Sequence, residues 1–127
     1  MKLGLCQMPV TASKTENFAT MRRYVRDAAA AGCDLVVLPE MWCCPYSNAA
    51  FAQYAEPQGG ETWCLLRGTA REYGVWLVAG SVPERDGDAI YNTCYVFDPQ
   101  GTQQAKHRKV HLFDIDVAGG QRFFESD

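Results

Sequence analysis

The sequence DLVVLPE, at residues 34–40, decides the fold class of this 127-residue chain. Its four apolar residues, 35–38, are bounded by Asp34 and Pro39, which is the pattern of a short strand buried on both faces. Residues 75–79 form a second apolar run of the same kind. Strands of this type belong to sheets that are covered by helices, so the two runs predict an α/β protein.

A helix is predicted before each of these two strands. The first begins at a possible capping box formed by Ser13 and Glu16, and Gly32 ends it. The second spans residues 61–73 and is followed by Gly74. This alternation of strands and helices predicts helices packed on a mixed sheet.

The other segments are predicted as three strands, a loop, a turn and an unfinished end. The strands are residues 2–9, 89–97 and 102–107, and the last two form a hairpin around the turn sequence DPQG at 98–101. Residues 41–60 lack a period and are expected to form a loop, and residues 84–88 a turn. Residues 112–127 carry several apolar side chains but no predicted closing element, so we expect the chain to end within a domain.

Composition excludes several classes of protein. Twelve basic and fifteen acidic residues give a net charge of −3, so no nucleic acid partner is expected. The one basic cluster, residues 106–109, is expected to be a solvated strand end. No apolar stretch approaches the roughly 20 residues of a membrane span, and the N-terminal run is broken by Gln7 and too short for a signal peptide. We therefore expect a soluble, cytoplasmic protein without a membrane partner.

The six cysteines are expected to be reduced thiols, buried or without a role, because no C-x-x-C pair occurs and two of them are adjacent. No metal site is predicted, since His107 and His111 are four residues apart without a helical pattern that would place them on one face. No cofactor is predicted either.

Three charged residues are candidates for chemistry. Glu40 follows the strand at 35–38 and precedes Trp42, so partial desolvation would raise its pKa toward that of a general base. Lys109 follows a strand and could stabilise an oxyanion. Glu125 lies beside two phenylalanines. On position alone, a solvent-facing glutamate, a surface lysine and an exposed loop carboxylate remain open alternatives.

A nucleophile close to Glu40 in sequence is a further possibility. Cys43 and Cys44 lie three and four residues after Glu40. Residues at that spacing in an irregular loop need not face each other, so a nucleophile–base pair is not favoured there.

Taken together, four blocks of the sequence resemble the nitrilase superfamily of carbon–nitrogen hydrolases, over the whole chain. The blocks are LPE at 38–40, GSVPE at 80–84, YNT at 91–93 and HRKVHLFDID at 107–116. The resemblance implies an α-β-β-α sandwich, of which this chain would form a part truncated at its C-terminal side. Residues 1–127 would then be an incomplete carbon–nitrogen hydrolase domain, its N-terminal part.

Within the superfamily the chain is most similar to the omega-amidase branch. The segments that carry this similarity are the lysine block, CPY at 44–46, QYAE at 53–56 and FES at 124–126. Such enzymes hydrolyse the terminal amide of small 2-oxo dicarboxylic acid monoamides such as 2-oxoglutaramate. Two alternatives stay open: a deaminated glutathione or carbamoyl-amine amidase of the same superfamily, and an inactive truncated interaction module.

The resemblance also implies roles for individual residues. Glu40 would be the general base, Lys109 the group that stabilises the oxyanion, Glu125 a second glutamate that positions lysine and substrate, and Tyr46 part of the substrate pocket. The nucleophilic cysteine of the family lies in a block downstream of the second glutamate, so the role passes to none of the six cysteines here. The partners would be a small amide and water, with a cysteine thioester as intermediate, and the full-length protein would be a homodimer. The fragment alone would be inactive.

Overall fold

Six strands of the chain form one mixed sheet in a computed structural model that describes residues 1–126. The elements are β1 Leu3–Leu5, α1 Lys14–Ala30, β2 Leu35–Val37, α2 Asn48–Tyr54, α3 Glu61–Tyr73, β3 Trp76–Val78, β4 Val82–Asp86, β5 Ala89–Phe97, β6 Gln103–Arg108, β7 Asp114–Asp116 and β8 Arg122–Phe124. The first three strands of the chain pair in parallel, in the order β1-β2-β3. This arrangement confirms the predicted α/β fold.

Strand β5 is the longest strand, and three other strands pair with it. Its C-terminal end pairs with β3, its N-terminal half pairs with β4, and β6 runs along its opposite edge, all antiparallel. The predicted hairpin of β5 and β6 is therefore confirmed, with Gly101 at a φ of 78° in its turn. One strand thus joins the parallel half of the sheet to the antiparallel half.

The predicted ends of both long helices are confirmed. Ser13 caps α1 by accepting a hydrogen bond from the Glu16 amide at 3.3 Å, while the Glu16 carboxylate accepts the Thr11 hydroxyl at 2.9 Å rather than completing a capping box. Helix α3 ends at Gly74, whose φ of 63° suits glycine. Both helices pack on the same face of the sheet, and they bury the apolar side chains Met21, Val25, Leu66 and Ala70 in the main core.

The opposite face of the parallel strands is open. Side chains alternate between the two faces of a strand, so Val36 and Leu77 point toward the helices whereas their neighbours point away. On this outward side Trp76 of β3 is 40% exposed and Leu35 and Val37 of β2 are partly exposed, and the adjacent strand β1 exposes 73% of Leu5. The prediction that these strands are buried on both faces is therefore wrong for the described residues: the composition suits two covered faces, and helices cover only one.

Three local predictions were also wrong. The segment predicted as a loop contains α2, which Ser47 caps by accepting the Ala50 amide at 3.2 Å. The predicted turn at 84–88 begins inside β4, because the buried Glu84 is paired with basic side chains of β6. The final segment does contain an element, the hairpin β7–β8, whose Phe123 packs against the core.

Residues 1–126 contain neither a membrane-spanning helix nor a disulfide bond. None of their helices has the length and the apolar character needed to cross a membrane. All six cysteines are free thiols, and four of them are buried.

Candidate active site

Glu40 lies at the end of β2, on a backbone turn that the segment after β3 holds in place. The Leu38 amide donates to the Val78 carbonyl at 3.0 Å, and the Ser81 amide donates to the Pro39 carbonyl at 3.2 Å. The Met41 amide then donates to the Ser81 hydroxyl at 3.1 Å. Hydrogen bonds on both sides of Glu40 therefore fix its backbone.

Two unusual backbone conformations accompany this turn. Met41 has a φ of 48°, which is rare for a residue with a side chain, and its side chain is nevertheless buried. Gly80 has a φ of 57°, and a Cβ atom there would lie 1.9 Å from the Pro39 carbonyl oxygen. Glycine is thus required for the close approach of the two segments that place Glu40.

Lys109 directly follows β6, and β5 holds its backbone. The Lys109 amide donates to the Asn92 carbonyl at 2.8 Å. Two preceding side chains, Lys106 and Arg108, point to the other face of the strand, where both bond the buried carboxylate of Glu84. The prediction of a solvated basic cluster is therefore wrong for these three residues, because carboxylates from other elements partner each of them.

Glu125 follows β8 and is anchored to the loop before β7. Its amide donates to the Phe113 carbonyl at 3.1 Å, and the Phe113 amide donates to its Oε2 at 2.6 Å. The side chain is only 3% exposed. It is therefore not the exposed loop carboxylate that its position in the sequence left open.

The structure brings these three candidate residues together. Lys109 Nζ lies 2.8 Å from Glu40 Oε1 and 2.7 Å from Glu125 Oε2. Burial alone would lower the pKa of Lys109, but the hydrogen bonds to Glu125 and Glu40 outweigh it and raise the pKa above its ordinary value. The ammonium is therefore charged at neutral pH and is held between two carboxylates.

The two carboxylates differ in their surroundings. Both oxygens of Glu125 accept hydrogen bonds, Oε1 from Asn92 and Oε2 from Lys109 and the Phe113 amide. Burial would raise the pKa of Glu125, but bonds from Asn92 and Lys109 outweigh it and lower the pKa. The side chain of Glu40 is 47% exposed, so it lacks the desolvation expected from Trp42. That indole is buried and donates to the Ala79 carbonyl instead.

Asn92 is a site residue that sequence reasoning missed. Its Nδ2 donates to Glu40 Oε1 at 2.8 Å and to Glu125 Oε1 at 2.7 Å, and its side chain is buried. The YNT block at 91–93 contributes to the family resemblance and to a predicted strand, but neither assigns a role to Asn92. An asparagine within an otherwise apolar strand was the available signal, because a buried amide requires partners.

Tyr46 also lies beside this cluster. Its hydroxyl is 3.4 Å from Glu40 Oε1 and 3.5 Å from Lys109 Nζ. Its ring packs edge-on against Phe51, with centroids 5.0 Å apart, and lies 5.5 Å from the ring of Phe123. Burial and the nearby carboxylate of Glu40 raise the pKa of Tyr46 to about 12, so the hydroxyl stays protonated.

Two cavities meet at this cluster, and both are lined by Asn92 and Lys109. A cavity of about 320 Å³ lies on the open sheet face, and Glu40 belongs to its lining. A cavity of about 470 Å³ lies between α2 and the start of β5, with Phe51 and Glu125 in its lining. The charged cluster is therefore reached from two sides.

No cysteine within residues 1–126 hydrogen-bonds Glu40 or Lys109. Cys43 and Cys44 are both 1% exposed and belong to the core, so they do not form a pair with Glu40. Cys94 lines the smaller cavity, and burial raises the pKa of its thiol. The same part of the chain contains no group of three or more histidine, cysteine or acidic side chains suited to a metal ion.

Comparisons with known sequences all lead to one family. A family model described as carbon-nitrogen hydrolase matches residues 2–127. The chain is 46% identical over 126 residues to the omega-amidase NIT2 of Danio rerio, covering 99% of this chain and 46% of that protein. It is 44% identical over 129 residues to the chloroplastic omega-amidase of Arabidopsis thaliana, covering 98% of this chain and 35% of that protein.

Solved structures lead to the same family. The crystal structure of Saccharomyces cerevisiae Nit3, a member of branch 10 of the nitrilase superfamily, matches with a TM-score of 0.82 and 32% identity. The match covers 88% of this chain and 45% of that chain. The chain therefore spans less than half the length of the relatives it matches.

Proposed function

Because the chain belongs to the carbon–nitrogen hydrolase family, we propose that it supplies the general base and the oxyanion-stabilising lysine of an amidase that acts through a cysteine thioester. The observation that carries this proposal is the Lys109 ammonium, held 2.8 Å from the exposed Glu40 and 2.7 Å from the buried Glu125. One cation between two carboxylates in different surroundings suits a site with one base and one fixed charge.

Glu40 is the better base of the two glutamates. Its Oε1 accepts Asn92 and Lys109, whereas no residue within 1–126 donates to its Oε2. That oxygen is therefore available to take a proton. Glu125 has no such oxygen, so we assign it to holding the lysine in position.

Lys109 is suited to stabilise negative charge on a substrate. A charged donor fixed in advance stabilises a tetrahedral oxyanion more strongly than water does, because nothing has to reorient as the charge develops. Tyr46 places a protonated hydroxyl beside the carboxylate of Glu40, and we assign this residue to the substrate pocket.

The proposed reaction proceeds in two stages. Glu40 takes the proton of a cysteine thiol, and the thiolate attacks the amide carbon while Lys109 stabilises the oxyanion. The C–N bond then breaks, Glu40 returns the proton to the leaving nitrogen, and ammonia departs. Glu40 next activates water, which hydrolyses the thioester and releases the acid and the thiol.

We also propose that residues 1–127 form the N-terminal part of a larger hydrolase domain that provides this thiol. Two observations support it. The chain spans less than half the length of its relatives, and one apolar face of its sheet is open, with Leu5 and Trp76 exposed. A second layer packed on that face would bury these side chains and complete a sandwich. The homodimer and the cytoplasmic location implied earlier stay predictions.

The proposed substrate is a small 2-oxo dicarboxylic acid monoamide. The support is the similarity to two proteins named as omega-amidases, each of which aligns with at least 98% of this chain. The assay uses the longer protein that contains this chain and the nucleophilic cysteine. We expect that enzyme to have a higher kcat/KM on 2-oxoglutaramate than on deaminated glutathione. Both hydrolyses release 2-oxoglutarate, which is therefore the product to measure. The reverse order would contradict the substrate assignment, and formation of 2-oxoglutarate from neither compound would contradict both the omega-amidase and the deaminated glutathione amidase.

Replacing Glu40 with glutamine is expected to lower kcat/KM by at least about 100-fold, since the amide cannot take the thiol proton. The substitution keeps the shape of the side chain, so the melting temperature should change little. The matched control is Glu72→Gln, at a half-exposed glutamate of α3 that pairs with Arg22. Its activity should stay near that of the parent, and an equal loss in both variants would remove Glu40 from the mechanism.

A further inference from the structure

The side chain of Asn92 occupies the point where the charged groups of the site converge. It lies in the middle of β5, with 7% of its surface exposed. Its single nitrogen donates to one oxygen of each carboxylate, at 2.8 Å and 2.7 Å, and its backbone carbonyl accepts the Lys109 amide at 2.8 Å. One residue therefore contacts both carboxylates through its side chain and the backbone of Lys109 through its carbonyl.

A side-chain amide has the right chemistry for this position. Its NH₂ group has two hydrogens, so it can serve two acceptors at once, and it carries no net charge. The lysine supplies one positive charge against two negative ones, and a second donor to both carboxylates is therefore needed to keep them close together. An aspartate has nearly the same shape but has no hydrogen to donate when it is ionised.

We propose that Asn92 is a positioning residue whose amide holds Glu40 and Glu125 in one arrangement around Lys109 and leaves Oε2 of Glu40 as the free proton acceptor. The catalytic use of Glu40 Oε2 as a proton acceptor rests on the proposed function. The arrangement itself rests on the hydrogen bonds and on the burial of Asn92.

Several groups besides Asn92 face the two carboxylates. Lys109 and Tyr46 contact Glu40 directly, and the Phe113 amide contacts Glu125. The remaining ionisable side chains in the linings of the two cavities are Cys94, His107, Asp88 and Tyr91. Asn92 and Lys109 each donate to both glutamates at 2.8 Å or less, whereas the Tyr46 hydroxyl lies farther away, at 3.4 Å from Glu40 Oε1.

The test is an NMR titration of the glutamate side-chain carboxyl carbons, compared among the parent, Asn92→Asp and Asn92→Ala. In Asn92→Asp a third carboxylate replaces the donor, so the midpoint of Glu40 or Glu125 should rise by about one pH unit or more. In Asn92→Ala both midpoints should rise by a smaller amount, because donors to the charged forms are lost. The alanine variant introduces no buried charge, and it carries the test if the aspartate variant does not fold.

The matched control is Asn17→Asp. Asn17 is also buried, and its amide donates to the carbonyls of Thr11 and Cys43, away from the glutamates. This variant should lose stability while both midpoints stay in place. Unchanged midpoints in a folded Asn92→Ala would overturn the inference, because Asn92 would then only fill space.

Kinetics of the enzyme with its nucleophile separate this inference from the proposed function. The acid limb of kcat/KM should move to higher pH in Asn92→Ala, in the same direction as the NMR midpoints. Shifted midpoints without any amidase activity in the parent would contradict the proposed function and leave the positioning role of Asn92 supported.

Discussion

Replacing Gly80 with alanine is expected to destabilise the chain by about 4 kcal/mol or more, or to prevent folding. Two costs add. The φ of 57° disfavours any residue with a Cβ by about 1–2 kcal/mol. The new Cβ would also lie 1.9 Å from the Pro39 carbonyl oxygen and 2.6 Å from that of Leu38. Both neighbours are backbone atoms, so β2 and the segment after β3 must move apart.

The chain offers a matched control for this prediction in Gly87. Its φ of 61° is nearly the same, but a Cβ there would meet nothing within 4 Å. Gly87→Ala should therefore cost only the conformational part, about 1–2 kcal/mol. Urea unfolding of both variants measures the difference, and equal losses of stability would show that the close approach at Gly80 is unimportant.

This substitution should also disturb the site. Pro39 directly precedes Glu40, and the separation of the two segments would break the Ser81 bonds to the Pro39 carbonyl and the Met41 amide. Even a folded Gly80→Ala variant should therefore misplace the proposed base.

Replacing Glu84 with alanine is expected to lower the free energy of unfolding by about 3 kcal/mol. The carboxylate is 2% exposed and accepts Lys106, Arg108 at 3.0 Å and the Thr93 hydroxyl at 2.7 Å. Its removal leaves two cations near each other without their shared partner. Strand β6, which leads to Lys109, would then lose its side-chain contacts with Glu84 of β4.

The control for Glu84 is Asp86→Asn, two residues further along β4. Asp86 also bonds Arg108, at 2.7 Å, but its side chain is 64% exposed. An exposed ion pair contributes about 0–1 kcal/mol, so this variant should remain close to the parent in urea unfolding. Similar losses in the two variants would contradict the importance of burial.

The pH dependence of the free energy of unfolding provides a second test of Glu84. Burial would raise its pKa, but bonds from Arg108, Lys106 and Thr93 outweigh it and lower the pKa to about 2. A lowered folded-state pKa stabilises the fold above the ordinary glutamate value, and this stabilisation is lost as the pH falls toward 2. Between pH 6 and roughly pH 2.5 the parent should therefore lose more stability than Glu84→Ala. Glu125 contributes equally to both proteins, so the difference isolates Glu84.

The sequence predicted correctly those helices and strands whose formation depends on residues close together in the chain. Helix α3 has its apolar spacing, and its end at Gly74, within one stretch of sequence. Helix α2 is only seven residues long, and three of those residues are alanines, so its sequence shows no helical period that could be recognised. Strand β4 contains Glu84 within a turn-like string, and only pairing with distant residues of β6 makes that charge compatible with a strand.

The site was predicted mainly from resemblance. Position alone left Glu40, Lys109 and Glu125 with open alternatives, because nothing in a single sequence shows that residues 40, 109 and 125 meet. Their convergence depends on the order of strands in the sheet. The position of Asn92 within an apolar strand indicated a buried amide that needs partners, but the identity of those partners could not be predicted, because both hydrogen bonds run to residues that are distant in the sequence.

The position of β5 in the sheet has a consequence for the motions of the protein. This strand carries Asn92, pairs with β3, which leads to the turn under Glu40, and pairs with β6, which leads to Lys109. A fluctuation that opens β5 would therefore release all of these groups together. We therefore expect amide hydrogens along these three strands to exchange as one cooperative unit, so that opening of the sheet disperses the site as a whole.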